Sequence, residues 1–98
     1  MTANLTTIDV VRQRADWMRP VDERIMETMR DEGNLTPQAV ENFDVCSRSH
    51  ASVRLSKLNK YGLVDRIAQG LYRLNEHGRA FLDEDLDASE LEPAADSE

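Results

Sequence analysis

Apolar residues recur at helical spacing in the first part of the chain. Val21, Ile25 and Met29 fall on one helical face, and Pro20 precedes them. Proline suits the first turn of a helix, where its missing N–H has no partner to lose. The pattern predicts a helix over residues 20–31.

Two further helices are predicted in close succession. Thr36 as N-cap and Pro37 as first helical residue predict a helix over residues 37–43. After a short connection, a third helix is predicted over residues 47–61, and Gly62 ends it. Spacings of four and three residues give this third helix a buried stripe, made of Ala51, Leu55 and Leu58.

The periodicity then changes to that of strands. Residues 63–67 and 71–74 are predicted as two strands, and Gly70 between them allows the positive φ of a tight hairpin. A last short helix follows Asn75 and closes the core with residues 80–82. The predicted fold is mainly α with a small β-hairpin, in the element order of a winged helix-turn-helix.

The chain divides into three predicted parts. Residues 1–16 form a leader with some helical spacing, residues 17–82 form the winged helix-turn-helix domain, and residues 83–98 form a tail. The tail is rich in acids and poor in apolar residues, so we expect disorder beyond about Leu86.

The net charge of −7 argues at first against nucleic-acid binding, but the charge is unevenly distributed. Residues 83–98 carry acids and no base, whereas residues 45–64 carry bases and no acid. The basic strip therefore coincides with the third helix. Lysine is scarce and aspartate and glutamate are abundant, which favours a protein adapted to concentrated salt; an ordinary acidic protein with a disordered tail is the alternative.

In a helix-turn-helix the second helix of the pair enters the major groove. Residues 47–61 are thus the predicted reading helix, and residues 63–74 are the wing. Basic and small polar side chains suit phosphate and base contacts, and a valine suits a thymine methyl group, although isolated exposed valines are common. The candidate DNA-binding residues are Arg48, Ser49, His50, Ser52, Val53, Arg54, Lys57, Lys60, Arg66, Gln69 and Arg73.

The sequence contains no catalytic triad, phosphate loop or paired acids, so we expect neither an enzyme nor a cofactor, and no small-molecule effector is evident. Cys46 and His50 are four residues apart, but two ligands do not make a metal site. Cys46 is interpreted as a packing residue, with redox sensing as the alternative. A single cysteine, no apolar run of membrane length and no signal peptide fit a cytoplasmic protein.

Residues 17–82 resemble the winged-helix proteins of halophilic archaea related to the repressor of the halophage phi-H. The motifs that carry the resemblance are Trp17-Met18 before Pro20, Leu35-Thr36-Pro37, Arg54-Leu55-x-x-Leu58, Gly62-Leu63-Val64, Gly70-Leu71-Tyr72 and Gly78-Arg79-Ala80. The resemblance implies a cytoplasmic, DNA-binding transcriptional regulator.

We therefore expect a sequence-specific regulator of transcription that binds double-stranded DNA and resembles a repressor. A single small reading helix covers about half a site, so a homodimer is expected. Its contact surface could be the leader, the first helix or the last helix. The alternative function is a winged helix used as a protein-interaction module in a transcription assembly.

Overall fold

A computed structural model describes residues 12–94. Helix α1 (Pro20–Glu32) is followed by α2 (Pro37–Asn42), α3 (Arg48–Lys60), strand β1 (Val64–Ala68), strand β2 (Leu71–Leu74), α4 (Glu76–Leu82) and a 3-10 helix (Ala88–Glu90). This is the predicted element order, and the helix and strand bounds agree with the predicted ones to within one or two residues. Most of the predicted leader helix falls on residues 1–11, outside the described residues; residues 12–16 are not helical.

Side-chain caps begin three of the helices. The Thr36 hydroxyl accepts a hydrogen bond from the third residue of α2 at 3.0 Å, and the Ser47 hydroxyl accepts from the third residue of α3 at 3.2 Å. The Asn75 side-chain carbonyl does the same for α4 at 2.9 Å. Each cap pairs an N–H that the helix itself leaves without a partner, so these starts follow from local sequence.

The wing is an antiparallel pair of β1 and β2 with a bulge between Arg66 and Ala68. A second pairing ties it to the helices, because Leu35 and Tyr72 exchange two backbone hydrogen bonds of 3.0 Å each. Since Leu35 directly precedes Thr36, the N-cap of α2, this pairing brings the hairpin beside the helix-turn-helix.

The core lies between α1, α3, α4 and the inner face of the hairpin. Its fully buried members include Ile25, Val40, Leu55, Val64 and Phe81. They come from each of the four α-helices and from β1, and β2 contributes the side chains of Tyr72 and Leu74, which are 7% and 4% exposed. A single core therefore holds the helix-turn-helix and the wing together.

The start of the tail is packed against the domain, so the expectation of disorder beyond Leu86 is wrong for residues 87–94. The Ala88 N–H donates to the Gln13 carbonyl at 2.9 Å, and Ala88 is fully buried. Farther along, the Ala94 N–H donates to the Lys60 carbonyl at 2.7 Å. Composition predicted the polarity of this segment correctly but missed these two anchors, because their partners Gln13 and Lys60 are distant in sequence.

Candidate nucleic-acid interface

Helix α3 has one buried face and one polar, exposed face. Ala51, Leu55 and Leu58 are fully buried, as predicted from their spacing. The opposite side exposes small hydroxyl side chains and Val53, of which 62% is accessible. The buried stripe fixes which side of α3 faces outward, because side chains advance by about 100° per residue along a helix.

The outer face of α3 adjoins the wing tip and the start of α2 across one groove. The groove is lined by Thr36, Pro37, Gln38, Arg48, Ser49, Ser52, Val53, Gln69 and Gly70. A second, adjoining groove runs along α3 toward its C-terminal end and is lined by Ser52, Val53, Ser56, Lys57 and Lys60. None of these lining residues is acidic, so a continuous polar and basic surface covers α3 and reaches the hairpin.

The structure thus brings together most of the residues predicted on α3 and one predicted at the wing tip, Gln69. It adds five residues that are not among the candidate DNA-binding residues, namely Thr36, Pro37 and Gln38 at the start of α2, Ser56 on α3 and Gly70 in the hairpin. Thr36 and Pro37 were interpreted only as signals for the start of a helix, so no surface role was predicted for them. That they lie beside Gln69 follows from the pairing of Leu35 with the hairpin, which no local pattern predicts.

Arg54 is a correction, because it was predicted to bind DNA from the surface of α3 and the structure buries it. Its Nε and Nη2 atoms donate to the two carboxylate oxygens of Asp22 at 2.7 and 2.6 Å, and Nη2 also donates to the Trp17 carbonyl at 3.0 Å. The hydrogen bonds that Arg54 donates to Asp22 raise the pKa of Arg54 above its ordinary value, against the effect of burial. With its donors turned into the protein, Arg54 does not belong to the exposed surface.

The other predicted wing residues lie away from the two grooves. Arg73 is exposed in a separate cleft, where it donates to Asp65 at 3.1 Å. Asn75 also donates to Asp65 at 3.0 Å. These two hydrogen bonds hold the pKa of Asp65 below its ordinary value, and the one from Asn75 has the larger effect. Arg66 is exposed on β1 and His50 on α3, but neither lines a groove.

Cys46 lies half-buried in the turn before α3 and packs against the core. Burial raises the pKa of its thiol, which disfavours the reactive thiolate. This environment agrees with the interpretation of Cys46 as a packing residue.

Within residues 12–94, no three metal-ligating side chains come together, and no helix combines the length and apolar character needed to cross a membrane.

Comparisons with known proteins agree with this architecture. Residues 11–94 match the family model of the winged helix-turn-helix phage repressor, a wider span than the predicted domain. The fold is similar to the crystal structure of the PhiH1 repressor-like protein from Haloarcula marismortui, with a TM-score of 0.80 and 36% sequence identity over 87% of this chain and 99% of that chain. No curated protein gives a significant match. The predicted fold class and resemblance are confirmed, and the chain belongs to the winged helix-turn-helix phage repressor family.

Proposed function

We propose that the protein binds double-stranded DNA sequence-specifically and regulates transcription, with α3 in the major groove and the wing tip beside it. The observation that carries this proposal is the acid-free surface of α3, where Arg48, Lys57 and Lys60 lie around the exposed Val53. Cations at the edges of this face suit the phosphates on either side of a groove, and small hydroxyl side chains between them allow a close approach to the bases.

Val53 is proposed to select a thymine. An aliphatic side chain that is 62% exposed in the middle of a polar face can pack against the C5-methyl group in the major groove. Replacing thymine by deoxyuridine removes that methyl group alone. Substitution at the contacted position should weaken binding by wild-type protein and should leave binding by Val53→Ser, whose side chain has no methyl group, unchanged.

The test of the proposed function begins with DNA selected by the wild-type protein from a random double-stranded pool. Lys57→Ala/Lys60→Ala should weaken binding to every sequence and should lower the slope of log affinity against log salt by about one per lost phosphate contact. Arg30→Ala/Arg79→Ala is a matched control, because it removes two exposed cations from α1 and α4. If the control lowers affinity and slope as much as the lysine pair does, the assignment of α3 is wrong.

A homodimer is part of the proposal, because one α3 covers about half a site. Within residues 12–94, the large exposed hydrophobic side chains are Phe43 just beyond α2, Val53 on α3 and Ile67 on β1. We propose the leader as the contact surface, because its sequence carries apolar residues at helical spacing. Removal of residues 1–11 should convert a dimer into a monomer in sedimentation experiments.

The distribution of exposed apolar side chains within residues 12–94 weighs against the alternative function as a protein-interaction module, which calls for a contiguous exposed apolar patch.

Regulation itself is tested by transcription from a promoter that contains the selected sequence, in the presence and absence of the protein. We place this activity in the cytoplasm and at high salt, in keeping with the lysine-poor, acidic composition.

A further inference from the structure

A buried ion pair joins the middle of α3 to the beginning of α1. Asp22 is fully buried, and Arg54 meets it with two parallel hydrogen bonds of 2.6 and 2.7 Å. The same carboxylate also accepts the Arg19 N–H at 2.9 Å. Hydrogen bonds from Arg54 and from the Arg19 N–H thus hold the Asp22 carboxylate in one orientation.

The segment before α1 contacts α3 at two points. The Trp17 carbonyl accepts a hydrogen bond from Arg54 at 3.0 Å. The Trp17 ring stacks on Tyr61, the residue that caps the C-terminal end of α3, with ring centroids 4.2 Å apart and planes inclined by 18°. Two contacts separated by about two helical turns resist both rotation and tilting of α3.

Stability alone does not account for a buried pair of this kind. Taking two charges out of water costs about as much as their attraction returns, and apolar residues of similar volume often replace such pairs without loss. Directional hydrogen bonds differ from apolar packing in that they specify one orientation. The rest of the inner face of α3 consists of small and aliphatic side chains, which tolerate small rotations.

The orientation that the pair specifies is the one that matters for reading DNA. Arg54 directly follows Val53, so anchoring one of them inward turns the other outward at the helical angle of about 100°. Building on the function proposed above, we propose that Arg54 is a positioning residue: through Asp22 and Trp17 it sets the rotation of α3 in the major groove and thereby the sequence specificity of the protein.

The variant Asp22→Asn/Arg54→Met tests this proposal. It removes both charges together and so leaves no buried charge without a partner, while the asparagine still accepts the Arg19 N–H. The domain should melt close to the wild-type temperature. Its preference for the selected DNA over random DNA should fall about tenfold. The salt slope of binding should stay the same, because Arg54 contacts no phosphate.

A control is Arg30→Met/Asp31→Asn. It also removes one cation and one anion together, but from an ion pair that lies within α1 and does not join α1 to α3. This control should keep the wild-type preference. Arg54→Lys retains the charge without the two-pronged geometry and should show an intermediate preference; it also serves as the readout if the double variant does not fold.

An unchanged preference in a folded double variant, or in Arg54→Lys, would overturn the positioning role. A salt slope that falls by about one per protomer would instead mean that Arg54 contacts DNA itself. Both results differ from failure of the proposed function, in which the wild-type protein selects no sequence at all.

Discussion

Replacing Gly78 by alanine should destabilise the domain, although alanine favours helices. Gly78 is the third residue of α4, and a Cβ atom there would lie 2.3 Å from the Leu63 carbonyl oxygen and 2.4 Å from the Leu74 Cδ1 atom. The leucine side chain can turn away. The carbonyl cannot easily move, because it belongs to the backbone that enters β1 and accepts the Asn75 N–H at 3.4 Å.

The expected magnitude follows from two opposing terms. Close contacts between carbon and oxygen are about 3.3–3.6 Å, so α4 must retreat by about 1 Å from the strand. Overpacking of this kind costs about 1–3 kcal/mol, and the gain of alanine over glycine within a helix returns about 0.5–1 kcal/mol. The midpoints of the two terms give a net loss of about 1 kcal/mol. This loss corresponds to a melting temperature lower by about 4–8 °C for a domain of this size.

Thermal unfolding followed by circular dichroism measures this effect. His77→Ala is the matched control, since it changes an exposed neighbour on the same helix and should melt close to the wild-type temperature. A melting temperature of Gly78→Ala at or above the wild-type value would contradict this prediction, because helix propensity would then outweigh the close contact between the added Cβ atom and the Leu63 carbonyl oxygen.

Three further predictions concern the core, pH and salt. Leu55→Ala should lower the free energy of unfolding by about 2–5 kcal/mol, because it opens a cavity under α3; a loss no greater than that of the exposed Ser56→Ala would contradict the helical phase. The lowered pKa of Asp65 stabilises the fold above its unfolded-state pKa of about 3.9, and this stabilisation is lost as pH falls through the lower folded-state value. The difference in melting temperature between wild type and Asp65→Asn should therefore shrink in acid. A difference that stays constant with pH would contradict the stabilising role of ionised Asp65. Glu90→Gln/Glu92→Gln should raise DNA affinity at low salt but not at molar salt, where charges interact over only about 3 Å; equal affinities at low salt would mean that the acidic segment does not compete with DNA.

Local signals in the sequence determined the helices and the outward face of α3. Thr36 starts α2 by accepting a hydrogen bond from one of its first backbone N–H groups, and Pro37 has no N–H that would need a partner. Gly62 lies just beyond the end of α3 at a positive φ of 81°. The spacing of Ala51, Leu55 and Leu58 determined which side of α3 is buried. These features depend on neighbours within a few residues, so a sequence pattern contains them.

Pairings between distant segments were decided only by the tertiary structure. Arg54 fits the basic strip by composition, but its partner Asp22 lies 32 residues earlier, and only folding brings the two together. Ala88 likewise finds its hydrogen-bond partner at Gln13. The groove beside α3 includes Gln38 because the hairpin pairs with Leu35, the residue before the N-cap of α2. A charge pattern shows how many cations a helix carries, but which of them face solvent depends on carboxylates and carbonyls supplied from elsewhere in the chain.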